Sequence, residues 1–315
     1  MKNNRVAYVN QVFLATIFTF IFGSYLLHYI EQGTQITIPT FVRMIYSQLI
    51  LVLPAVIYLC VNKIPPMEFI RLKKVNFVTM ILLVMFGFFI RPLMNLLSVI
   101  SMLWVENTIE DTATQLLSEV NFFFALIFIA VVPAILEEFV YRGVFYNEYR
   151  KVNTRKAVLL SGLLFGLMHM NLNQFIYAFF MGVIFAMIIE ATDSILASMI
   201  VHFTINGSSL IFLKITPWLQ EQAGYANSTT LLDADVMTRE EILKLLPSLV
   251  VPAIMALIIS LLLYYGIVRY NKRSDVIKRI FSKEENEKKT ERLITVPLAA
   301  GLVICILSMI LSAVA

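Results

Sequence analysis

Charge is scarce in this 315-residue chain, cysteine is nearly absent, and histidine occurs only three times. Asp, Glu, Lys and Arg make up 15% of the residues against 59% hydrophobic, and the mean hydropathy is +0.80, which excludes a soluble globular domain. The two cysteines, Cys60 and Cys305, lie inside apolar runs, so there is neither a disulfide framework nor a cysteine-based metal site. His-Glu-x-x-His occurs nowhere, which removes a zincin helix. No internal repeat is visible, so the inverted halves of a proton-coupled transporter are missing too.

What the chain has in abundance is long apolar runs. They fall at Val12–Ile30, Phe41–Val61, Phe77–Val105, Phe122–Tyr149, Ala157–Met170, Phe175–Ile189, Ile195–Leu213, Leu245–Val268 and Leu293–Ala315. Backbone in hydrocarbon must satisfy its own hydrogen bonds, so the predicted fold is all-α: one polytopic transmembrane bundle, 1–315, of about nine helices. The first run lacks a clear small-residue cleavage site and reads as a retained helix. Pro54 lies inside the second run, and Arg91-Pro92 predicts a kink in the third. The fifth and sixth are short for spans, as helices lining a wet cavity can be. The segment 271–292 reads as a charged cytoplasmic linker, and the outer loop 216–244 carries no functional signal.

Positive charge orients this bundle. With a cytoplasmic N-terminus, the cytoplasmic segments hold 19 of the 25 Lys and Arg and the outer segments 4. Arg91 and Arg142 lie within helices.

The polar residues inside the runs then acquire depths. Glu137 and His169 each lie about twelve residues, ~18 Å, from the basic flank around Arg155-Lys156. His202 lies eight residues beyond Ser194, with Asn206 one turn further on the same face. Glu137, Glu138, His169, His202 and Asn206 thus come from three helices yet share one layer in the cytoplasmic half of the membrane. Ionisable residues at such depth are costly and point to function. Glu138 and Arg142, four apart, can pair, leaving Glu137 free to face something else. His28 has no carboxylate at matching depth and reads as an interfacial residue.

Such a layer suits peptide-bond hydrolysis. Glu137 with His169 could hold and deprotonate a water, while His202 and Asn206 offer two donors toward one oxyanion. No serine or cysteine shares the layer with a histidine. Two histidines and a glutamate are also a permissible zinc set, so by residue type a metal stays open.

Three blocks carry a resemblance. Glu137-Glu138-Phe-Val-Tyr-Arg142, Phe165-Gly-Leu-Met-His169 and His202-Phe-Thr-Ile-Asn206 are similar to the Glu-Glu-x-x-x-Arg, Phe-x-x-x-His and His-x-x-x-Asn motifs of the CPBP family. That family comprises the CAAX proteases and the bacteriocin-processing or immunity (Abi) membrane proteins. The resemblance covers 122–213. It implies an intramembrane glutamic-type endopeptidase without a cofactor, with Glu137 and His169 activating water and His202 and Asn206 forming the oxyanion hole. Glu138 and Arg142 would support the site, Arg142 structurally. It further implies a membrane-associated protein or peptide as substrate, the lipid bilayer and no nucleic acid as partner, and a bacterial cell membrane as the location. A non-proteolytic role, in bacteriocin self-immunity or as a scaffold for a transporter or sensor kinase, is the alternative.

Overall fold

The computed structural model describes residues 5–105, 108–222, 238–282 and 292–314, and among them every regular element is a helix. In chain order these are α1 (Arg5–Thr34), α2 (Thr40–Val61), the short α3 (Pro66–Phe69), α4 (Phe77–Phe89), α5 (Arg91–Ser101) and α6 (Thr108–Glu119). There follow α7 (Phe122–Tyr149), α8 (Thr154–Leu167), α9 (Leu172–Thr192), α10 (Ile195–Gln222), α11 (Arg239–Tyr270), α12 (Ser274–Ile280) and α13 (Val296–Val314). Of the expected outer loop 216–244, residues 223–237 lie outside the described ones and its two ends are helical in α10 and α11; of the expected charged linker 271–292, residues 283–291 lie outside them and α12 occupies Ser274–Ile280.

Eight of these helices, counting α4 and α5 as one, are long and apolar enough to cross a membrane, where the apolar runs predict about nine. The difference is α8. At 14 residues it rises ~21 Å, short of the ~20 residues that a span needs. The predicted kink in the third run is a break at Ile90: Arg91 opens α5 with Pro92 in its first turn, where a missing N–H costs nothing.

α8 and α9 form a tight antiparallel hairpin that glycine makes possible. A Cβ on Gly162 would meet the Phe179 carbonyl at 2.8 Å, and one on Gly182 would meet Gly162 Cα at 2.6 Å. Backbone therefore touches backbone, as small residues allow in helix pairs within membranes. Asn153 and Asn171 cap the starts of α8 and α9, their side chains accepting from the N–H groups of Lys156 and Gln174. Around this hairpin α9 and α10 bury 50% and 56% of their apolar windows, against 17% for α11 and α13, so the inner helices can carry polar groups.

The helix ends that the charge count assigns to one side do share one end of the bundle. There Glu190, almost fully buried, accepts from Arg71, Arg150 and the Tyr146 hydroxyl, and Arg273 donates to its backbone carbonyl. Asp193, in the left-handed region at φ 59°, pairs with Arg71 and Lys73. A second clasp joins Glu148 to Arg5, Lys151 and Tyr58. Burial alone would raise the Asp193 carboxyl, but hydrogen bonds from Lys73 and Arg71 bring it from 3.8 down to about 2.

Removing one partner of a buried charge cluster typically costs about 3 kcal/mol or more. Glu190→Gln is therefore expected to lower the thermal midpoint of the purified protein clearly, and an unchanged midpoint would refute the clasp. The depressed Asp193 value stabilises the fold fully above pH 3.8, and that contribution is lost as the pH falls through about 2. Asp193→Asn should therefore flatten the acid limb of the wild-type stability profile.

Candidate active site

The site is built on α7, which is not a uniform α-helix. Two wide π-helical segments, Ile127–Val131 and Phe139–Tyr146, flank the α-helical turns Val132–Glu138 that end on the two glutamates. Such segments are frequent at functional sites, where they re-aim side chains and release backbone groups. One released group is used: the Ile129 carbonyl accepts from Asn206 Nδ2 at 3.1 Å, which ties α10 to α7 at the level of the site.

Glu138 and Arg142 are fully buried and paired, Nη1 to Oε1 at 2.9 Å, as their i, i+4 spacing predicts. The guanidinium lies between two rings, its Cζ 4.2 Å from the Phe165 centroid and 4.9 Å from that of Phe185. These faces compensate in part for Arg142 Nε and Nη2, which have no hydrogen-bond partner among the described residues. Gly182 makes room for the planar head, since a Cβ there would stand 3.1 Å from Nη2.

The same Glu138 Oε1 meets His202 Nδ1 at 3.2 Å. Because that oxygen already accepts from Arg142, the ring nitrogen is the donor. Phe185 stacks on the imidazole at 5.0 Å and Phe165 meets it edge-on, so the ring is clamped on three sides. Its free Nε2 stands 4.0 Å from Oε2 of Glu137.

Glu137 differs from its neighbour in kind. Its side chain keeps 14% exposure, and its Oε1 is held by Gln48 Nε2 of α2 at 2.8 Å. His169 lies in the turn just beyond α8, with Nδ1 2.8 Å from the Phe165 carbonyl. A carbonyl only accepts, so Nδ1 carries the proton and Nε2 of the neutral ring offers a lone pair. Phe165 also contacts the His169 ring edge-on at 5.2 Å, making it a common wall for both imidazoles and Arg142.

The structure thus brings Glu137, Glu138, Arg142 and His202 into one hydrogen-bonded or near-contact cluster, with His169 joined through Phe165 and Asn206 one turn beyond His202. His28 lies apart from them. It lines a cavity of about 520 Å³ between α1, α2 and α6, together with Ser24, Arg43, Ser47 and Gln115. None of the motif side chains lines this cavity. Among the described residues no three His, Cys, Asp or Glu side chains converge as metal ligands. Sequence reasoning missed Gln48, for which no motif exists, and the Gly162-x-x-x-Gly166 spacing, which was there to be read.

Arg142→Ala should cut the yield and thermal midpoint of folded protein, by a few kcal/mol on the scale of an orphaned buried carboxylate. Arg142→Lys, which keeps the charge but not the plane between the rings, should fall in between. Normal stability of the alanine variant would refute the structural role.

Comparison with known families agrees with this geometry. Residues 119–208 match the family model described as type II CAAX prenyl endopeptidase, Rce1-like. No curated protein and no solved structure matches the chain. The matched segment contains all three blocks, from Glu137 to Asn206, and over it the chain is similar to the CAAX-type intramembrane proteases.

Proposed function

We propose that the protein is a glutamic-type intramembrane endopeptidase that hydrolyses a peptide bond in a membrane-associated protein or peptide. Its site would lie in the cytoplasmic half of a bacterial cell membrane, with the basic end of the bundle facing the cytoplasm. The observation that carries this reading is the sharing of Glu138 Oε1 between Arg142 and His202.

Two adjacent carboxylates inside a bundle need separate fates. Arg142 offsets one negative charge. A proton on His202 offsets the other, and the cluster of Glu137, Glu138, Arg142 and His202 is then neutral with Glu137 still ionised. Since Nδ1 donates to Glu138, His202 offers an N–H at Nε2 only as an imidazolium. The electroneutral state is thus the one hydrolysis requires, a free base beside a charged oxyanion donor.

In the reaction, a water donates one O–H to Glu137 and the other to the lone pair on His169 Nε2. Its oxygen attacks the scissile carbonyl carbon as the proton passes to Glu137. The carbonyl oxygen gains negative charge and is held by His202 Nε2–H and by the Asn206 amide. Glu137 then gives its proton to the amide nitrogen, the C–N bond breaks, and a carboxylic acid and an amine leave.

The test is cleavage, by protein purified in detergent, of quenched-fluorescence peptides ending in Cys–aliphatic–aliphatic–X, prenylated and unprenylated. Glu137→Gln and His169→Ala should abolish turnover with folded yield intact, and Asn206→Ala should cost on the order of 10²- to 10³-fold in kcat, as for one oxyanion donor. Undiminished cleavage by Glu137→Gln would sink the proposal. Stoichiometric zinc whose removal stops turnover, and whose return restores it, would replace the glutamic mechanism by a metal-assisted one.

A further inference from the structure

Gln48 lies on α2, well outside the segment that carries the family likeness. It sits within the apolar run Phe41–Val61, where an amide is unfavourable unless paired. Its partner is the one carboxylate that the site leaves without a cation in hydrogen-bond contact: Nε2 donates to Glu137 Oε1 at 2.8 Å. The orientation of the amide is fixed by chemistry, because an ionised carboxylate only accepts and must face the NH₂ group.

That orientation has a cost. Gln48 Oε1 is left buried with no hydrogen-bond partner among the described residues. A buried acceptor without a partner is destabilising, so packing alone would favour leucine or methionine here. The donor half of the amide is what the position retains.

A neutral donor is also the fitting choice for a base. Arg142 and His202 converge on Glu138, and a carboxylate held in that way has its charge offset and serves as an anchor. An amide orients Glu137 without offsetting its charge. It occupies Oε1 and leaves Oε2, the atom 4.0 Å from His202 Nε2, as the one that can take a proton.

We propose that Gln48 is a positioning residue for the hydrolytic base: it holds Glu137 Oε1 so that Oε2 faces the attacking water. This rests on the assignment of Glu137 as the base. It brings α2 into the active site beside α7, α8 and α10, and ties the activity to the packing of α2 on α7.

The test uses wild type, Glu137→Gln, Gln48→Met and Gln48→His in the prenylated-peptide assay, with folded yield and thermal midpoint measured alongside. Gln48→Met should lower kcat by about 10- to 100-fold with KM within about twofold, and leave folded yield unchanged, because Gln48 acts through the base and touches no substrate. Gln48→His, which keeps an N–H donor at similar reach, should recover most of the loss. Wild-type kcat in Gln48→Met, or a loss that tracks reduced folded protein and is not recovered by histidine, overturns the inference while leaving Glu137 as the base. If wild type and Glu137→Gln behave alike, the assignment of the base fails and the inference fails with it.

Discussion

Everything in this bundle depends on keeping charge neutral where water is scarce. Coulomb interactions that are weak in water become large in an apolar interior, and an unpaired ion there is prohibitive. Glu138 meets that constraint by accepting from Arg142 and His202 through one oxygen. The pairing sets the tautomer and plane of His202, fixes Arg142 between Phe165 and Phe185, and leaves Glu137 as the group with chemical freedom. Both neighbours on α7 are glutamate, yet their surroundings differ: an arginine and a histidine hold Glu138, and the Gln48 amide holds Glu137.

The fold can be understood as the support for that pairing. Gly162 and Gly182 let α8 and α9 close to backbone contact, which brings Phe165 and Phe185 onto the guanidinium. The ionic clasps around Glu190 and Glu148 pin the basic ends of α1, α2, α7, α9 and α11 together, one layer away from the site. Charge pairing at one end and glycine contact in the middle hold the inner helices at the spacing the site needs.

Much of this was legible in the sequence, for identifiable reasons. Helical side chains four apart meet, so spacing alone places Glu138 with Arg142, and His202 with Asn206, on common faces. Scarce charge made the basic flanks informative, and those flanks do gather at one end. Three features were not legible. The π-helical segments of α7 follow no sequence rule, so the seat that the Ile129 carbonyl offers Asn206 could not be foreseen. The shortness of α8 was visible as a short apolar run, but its consequence, a hairpin with α9, one of the eight candidate spans, depends on tertiary contact. Gln48 is a single amide in an apolar helix, and pairing it with Glu137 needs the packing of two helices far apart in the chain.

On the proposed reading, Glu138 governs hydrolysis without touching the substrate, by holding His202 as a charged donor. Glu138→Gln keeps shape and removes the charge, so its kcat and KM on a cleaved peptide read out that role. Its kcat should fall on the order of 10³- to 10⁴-fold, the scale seen when a catalytic imidazole loses its orienting carboxylate, with KM little changed. Wild-type turnover by folded Glu138→Gln would contradict it.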